Sequence, residues 1–288
     1  MKSILSWIRS LFRKKSPTHI EDEVRTVDDS HLPVSLPIPT RDGDEYKVWI
    51  PFAENAHKTE GIKMRSRGEY SEGYPKGLVV HFNSGWHLKR GTHLRPFPIT
   101  NIGLGIAKMA RRYGLQTLSG GLKNGYLFLS MDVLGKIYQS RPLTKWGYHA
   151  GKSYWKTVGS SVSNDFAGVE ILNPSTLSIK NGKFITWFKY VIPNILVREA
   201  EARDNIAKGY YHVYSIEQEK SLLKLCVWLY NNSPTKGGEK VFKIENIVGH
   251  DEVSPGRKND PGHALSCSMP EFRIKVEREI LKGTESYV

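Results

Sequence analysis

Apolar positions along the chain fall into two repeats, one suited to strands and one to helices, and the switches between them predict the elements. LVVHF (78–82) is continuously apolar up to its histidine, as a strand buried on both faces would be. AGVEIL (167–172) reads the same way. YLFLSMD (126–132) and KIYQS (136–140) are strand-like runs joined by a short turn at Val133-Leu134-Gly135, and YKVWIPF (46–52) is a further candidate strand. In SIKNGKFITWF, Asn181-Gly182 stands between two alternating runs, a strong hairpin signal. Helical spacing takes over in NIGLGIAKMARRYG (101–114), with Thr100 or Asn101 as cap and Gly114 as stop. It returns in IEQEKSLLKLCVWLYNN (216–232), where Leu222, Leu225, Cys226 and Leu229 share a face and Ser215 with Gln218 predicts a capping box. Strands interleaved with helices over one long segment predict an α/β fold, a mixed central β-sheet flanked by helices.

The first residues differ from this pattern. Ile4, Leu5, Ile8, Leu11 and Phe12 share one helical face while Arg9, Arg13, Lys14 and Lys15 fall mostly elsewhere, which predicts a short cationic amphipathic helix over 1–16. It reads equally as a helix packed on its own domain or as a contact with an anionic membrane through residues 1–15. Arg9 interrupts the apolar run and no small-residue cleavage site follows, so no signal peptide is evident. Residues 17–70 are polar, then Pro-rich, and read as a linker or extension, leaving 71–288 as the main domain.

Composition narrows the function classes. The 288 residues include 39% hydrophobic and 11% aromatic positions, enough for a sizeable core, and show no low-complexity tract. Cys226 and Cys267 cannot by themselves hold a structural zinc, and no apolar run reaches the roughly 20 residues of a membrane span. A formal net charge of +13 favours an anionic partner: nucleic acid, a membrane surface or a cell-wall polymer.

Chemistry-bearing residues concentrate in VGHDEVSPGRKNDPGHA (248–264). His250 and Asp260 lie ten apart, and Pro255-Gly256 and Pro261-Gly262 can fold the segment back on itself. Lys258 stands two residues before Asp260, so an extended stretch points both side chains the same way. His81 ends a buried run, His149 sits in WGYHAGKS, and Glu170 is a lone carboxylate inside an otherwise apolar strand, where it needs a partner or must titrate. Taken singly, each fits a structural role: a satisfied turn histidine, a core histidine, a paired carboxylate. His87, His93 and His263 read as loop histidines.

Taken together, VVHF, GYLFL followed by GKIYQ, YHAGKS, NDFAGVEI and GHDEVSPGRKNDPG stand in an order that resembles the type 2 N-acetylmuramoyl-L-alanine amidases, over roughly residues 75 to 270. That family includes muropeptide-recycling amidases, phage amidases and peptidoglycan recognition proteins. The resemblance implies a zinc site in a surface groove, with ligands on His81, His250 and Asp260 and a fourth position open to water. It places the catalytic carboxylate on Glu170, the lysine beside the site on Lys258 and a further histidine on His149. It also places, by a looser match, a tyrosine on Tyr126. Asn83-Ser84 and Tyr148 depart from the usual residues at their positions, which bears on substrate contacts more than on metal. The implied reaction is hydrolysis of the amide between N-acetylmuramic acid and L-alanine of the stem peptide.

Two other readings compete. A non-catalytic peptidoglycan-binding protein of the same fold would usually lack a zinc ligand, and all three candidates are present here. A nucleic-acid-binding protein has only the charge in its favour, because no recognition signature accompanies it, so no nucleic acid is expected. The expected partner is peptidoglycan or a muropeptide, with the chain a monomer. It would be made in the cytoplasm and act on the cell wall or periplasm, or on cytoplasmic muropeptides.

Overall fold

The structure, a computed structural model, describes residues 49–56, 67–83, 128–132, 134–187, 189, 191–203 and 206–285. All of them belong to one compact unit, Gly43–Val288, and the other unit, Met1–Asp42, lies outside them. The predicted N-terminal helix, the 101–114 helix and Tyr126 therefore fall outside the described residues.

Along the chain, β1 (Glu54–Asn55), β2 (Gly68–Glu69) and β3 (Gly77–Phe82) are followed by β4 (Leu129–Met131), β5 (Ile137–Gln139) and β6 (Lys145–Trp146). Then come β7 (Tyr154–Trp155), β8 (Gly159–Ser160), β9 (Phe166–Ile171), β10 (Thr176–Lys180), β11 (Lys183–Ile185) and β12 (Val191–Ile192). After β13 (Val197–Ala200) and β14 (Gly209–His212) the helix α1 (Ile216–Asn231) leads to β15 (Thr235–Lys236), β16 (Glu239–Lys240) and β17 (Ile247–Gly249). The helices α2 (His250–Val253) and α3 (Met269–Glu285) complete the chain.

Six strands in the order β1-β5-β4-β9-β3-β17 make the central sheet. It is mixed: β4 and β5 pair antiparallel across their short turn, and the other neighbours are parallel. The turn is held by Asp132, whose Oδ1 accepts from the Leu134 and Lys136 amides at 2.9 Å each. The strand expected at 46–52 is not one over Trp49–Phe52, which bend and turn instead. Pro51 has no N–H to give a ladder, and the Ala53 amide closes a turn on the Ile50 carbonyl at 3.0 Å. The sheet edge begins two residues later, at β1. Glu54–Asn55 and Gly68–Glu69 both pair with strands beyond residue 71, so pairing takes in part of the 17–70 segment.

Strand parity decides what each face of the sheet carries. Leu78, Val80 and Phe82 of β3, with Ala167, Val169 and Ile171 of β9, join the large core beneath Leu222, Leu225, Cys226, Leu229, Phe272 and Val276 of α1 and α3. Val79 and Phe166 belong to a smaller cluster with Val162, Val248 and Val253. His81 and Glu170 follow Val79 and Phe166 at even spacing, so parity puts them on the thinly covered face.

Helix α1 is capped as its sequence indicates, with the Gln218 amide donating to Ser215 Oγ at 3.0 Å and the Ser215 amide to Gln218 Oε1 at 3.0 Å. The Asn181-Gly182 hairpin is present too, with φ of 50° and 69° at its two turn residues, as a two-residue turn of that hand requires. It belongs to a second sheet, β12-β11-β10-β14-β13, which the sequence reading did not anticipate.

Candidate metal centre

Three side chains from two parts of the chain converge on the thin face. His81 lies near the C-terminal end of β3, and β17 runs parallel beside β3, so α2 opens with His250 next to it. The segment after α2 then turns back, with the Asp251 amide donating to the Asp260 carbonyl at 2.8 Å. This brings His81 Nδ1 and His250 Nδ1 to 2.8 Å, and each of them to 3.0 Å from Asp260 Oδ2. All three residues are buried.

The outer ring nitrogens fix what this triangle is. His250 Nε2 lies 3.0 Å from the Ala150 carbonyl, which can only accept, so a neutral ring carries its proton on Nε2 and its lone pair on Nδ1. Arg257 Nη2 also approaches this nitrogen at 3.3 Å but has closer acceptors at 2.7 Å in Ala150 O, Lys152 O and Ser254 Oγ. His149 Nε2 faces the Phe166 carbonyl at 2.9 Å and so donates to it, leaving His149 Nδ1 to accept from His81 Nε2 at 3.0 Å. His81 Nδ1 is therefore bare as well. With both rings neutral, two imidazole lone pairs and a carboxylate oxygen face one another. Such a set repels itself unless a cation joins it. The edges of 2.8 to 3.0 Å are slightly tighter than the roughly 3.3 Å expected between ligands of a tetrahedral zinc, and two histidines with a carboxylate are a zinc donor set. The residues fit the metal.

Gly168 makes room for this arrangement. A Cβ there would lie 2.7 Å from the His149 ring, so any larger residue would push the ring off Phe166 O and His81.

Electrostatics around the triangle agree with its contacts. Burial lowers the His81 pKa to about 4, and His149 is pushed well below the usual histidine value, also by burial first. Glu170, in register with His81 on the neighbouring strand, has its pKa raised to about 8 by burial and by the Asp260 charge, with Lys258 acting in the opposite sense. Positive charge in the triangle would act as Lys258 does.

His81, Phe82, Asn83, His149, Glu170, His250, Lys258, Asn259 and Asp260 line one cleft of about 320 Å³. Every described candidate from the sequence is thus in or beside one site. Both ring nitrogens of His149 are engaged, one on the Phe166 carbonyl and one on His81. His263 stays apart, its ring packed edge-on to Tyr211 with centroids 5.1 Å apart. Sequence reasoning missed Arg257, which ties the 150–152 loop to the ligand segment through backbone carbonyls. It also missed Arg273, which donates to both carboxylate oxygens of Glu252 at 3.0 Å and so anchors α2 to α3. It missed Arg198 too, which reaches from the second sheet to the His263 and Leu265 carbonyls at 2.9 and 2.6 Å, just beyond Asp260.

No protein-family model matches the chain, and no curated protein matches it either. Among solved structures, it is similar to a selenomethionyl AmpD derivative at 18% identity and a TM-score of 0.41, covering 79% of this chain and 96% of that one. It is similar to the N-acetylmuramyl-L-alanine amidase AmiD from E. coli, solved with anhydro-N-acetylmuramic acid-L-Ala-D-γ-Glu-L-Lys, at 16% identity and a TM-score of 0.40. That match covers 75% of this chain and spans 64% of AmiD. The endolysin N-acetylmuramoyl-L-alanine amidase LysCS from Clostridium intestinale is matched at 15% identity and a TM-score of 0.37, over 80% of this chain and 98% of that one.

Proposed function

We propose that the chain is a zinc-dependent peptidoglycan amidase that hydrolyses the amide between N-acetylmuramic acid and L-alanine of the stem peptide. The observation that carries this reading is the convergence of His81, His250 and Asp260 donor atoms on one point, opening on a cleft that also holds Glu170 and Lys258. The choice of substrate is supported by the GHDEVSPGRKNDPG, YHAGKS and NDFAGVEI segments and their order in the chain.

His81, His250 and Asp260 would hold zinc, which when bound polarises the scissile carbonyl and lowers the pKa of water toward roughly 7. The remaining steps belong to this chain's own residues. Glu170, as carboxylate, takes a proton from the attacking water and gives it to the departing L-alanine nitrogen as the C–N bond breaks. The Lys258 ammonium faces the same cleft and stabilises the negative charge that develops on the carbonyl oxygen. His149 holds His81 in the tautomer whose Nδ1 faces the triangle.

The reading of a binding protein without catalysis is disfavoured because all three donors converge and Glu170 stands beside them. The test is mass spectrometry of a purified muropeptide after incubation with the zinc-loaded chain. Release of an intact stem peptide with a free L-alanine amine, abolished in Glu170→Gln, is the expected result. Binding of the muropeptide without cleavage would instead support the recognition-protein reading.

A further inference from the structure

The outer half of the second sheet carries a combination that the catalytic reading does not use. Among the described residues ten large hydrophobic side chains are exposed, and three of them, Trp187, Val191 and Ile195, fall within nine consecutive residues, at 61, 56 and 79% exposure, while the register puts Val191 on the same face of the sheet as Lys180 and Lys183. Single exposed apolar residues are ordinary, but a cluster is not. The same stretch is one-signed: residues 178–197 contain Lys180, Lys183 and Lys189 and no aspartate or glutamate. All three lysines are exposed, and among the described residues no salt bridge involves them.

We propose that the β10–β12 half of this sheet is a docking surface for an anionic lipid bilayer, with Trp187, Val191 and Ile195 entering the headgroup boundary and the three lysines meeting lipid phosphates. Aliphatic side chains beside an indole and lysines suit a surface that is apolar inside and negative outside. Val191 and Ile195, exposed in the same stretch as Trp187, offer a glycan no hydrogen bond. Pairing with a second copy through the edge strand is disfavoured, because β12 is two residues long and Pro193 follows it directly. The remainder of this sheet is tied to the metal segment through Arg198, so docking would act next to the cleft without using any residue of it.

The inference does not depend on the amidase reading. It is tested with the full chain by co-sedimentation on vesicles of phosphatidylglycerol and phosphatidylcholine, against phosphatidylcholine alone, in low and high salt. Binding should require the anionic lipid and weaken steeply with salt. Lys180→Gln/Lys183→Gln/Lys189→Gln should lower it about 100-fold, and Trp187→Ser/Ile195→Ser about tenfold, both with unchanged unfolding temperature and soluble-muropeptide cleavage. The companion variant Arg9→Gln/Arg13→Gln/Lys14→Gln/Lys15→Gln reports on the N-terminal segment separately. Binding that survives both sheet variants, or is lost only in the N-terminal one, overturns the proposal. So does equal binding to neutral vesicles, or a concentration-dependent dimer that Ile195→Ser abolishes.

Discussion

His81 and His212 are both buried, and burial lowers both to a pKa of about 4, yet they sit in regions of opposite character. His212, in the second sheet, has its Nδ1 met by a donor: the Asn173 carboxamide nitrogen lies at 3.2 Å and also reaches the His212 carbonyl at 3.0 Å. It is a neutral core histidine with its lone pair satisfied. His81 presents its Nδ1 to a second imidazole nitrogen and a carboxylate, neither of them a donor when the rings are neutral. Burial and a depressed pKa therefore do not distinguish a ligand from a structural histidine. The protons on the neighbouring groups do.

The strongest way to break the contrast is to remove a ligand. His250→Ala should abolish stoichiometric zinc binding, measured by metal analysis after dialysis, and hydrolysis with it. Unchanged zinc content would mean that the triangle is not the site. Next, Glu170→Gln should keep zinc and fold while turnover falls about 10²–10⁴-fold. If Glu170 is only a structural carboxylate, thermal stability should fall before turnover does.

A smaller effect is expected at the tautomer lock. His149→Ala should weaken zinc affinity about 10–100-fold in a competition titration, because nothing then fixes the proton on His81 Nε2. An unchanged affinity would show that His81 needs no such partner. The smallest effect on metal belongs to His212→Gln, which should leave zinc affinity alone and change only acid stability. His212 has a folded pKa below its unfolded value of about 6.5, so unfolding takes up a proton. Its contribution is complete above pH about 6.5 and is lost as pH falls toward about 4, by up to roughly 3 kcal/mol. Denaturant unfolding across that range should be flatter in the variant, and a parallel fall in wild type and variant would remove His212 from the account.

What the sequence disclosed follows from how local each signal is. The strands β3 and β9, the 181–182 hairpin and α1 rest on short-range periodicity and turn chemistry, and all are present. Glu170 stood out because a charge inside an apolar strand is costly wherever that strand goes. Helix α3 carries an equally local signal: Ser268 Oγ and the Glu271 carboxylate form a reciprocal cap, followed by Phe272 and Val276 on the buried face. The second sheet was not readable in the same way. Several of its strands are only two to four residues long, and its pairing is set by partners up to 35 residues away. Arg257 and His149 act through the carbonyls of Ala150, Lys152 and Phe166, and a backbone acceptor leaves no mark in a sequence.

Metal binding by the triangle depends on where the imidazole protons are, and ¹⁵N NMR of the histidine rings in the metal-stripped chain reads this directly. His81 and His250 should each carry the proton on Nε2 and show a bare Nδ1, and one equivalent of zinc should shift both Nδ1 signals together while leaving His212 unmoved. A proton on Nδ1 of either histidine, or Nδ1 signals indifferent to zinc, would contradict it.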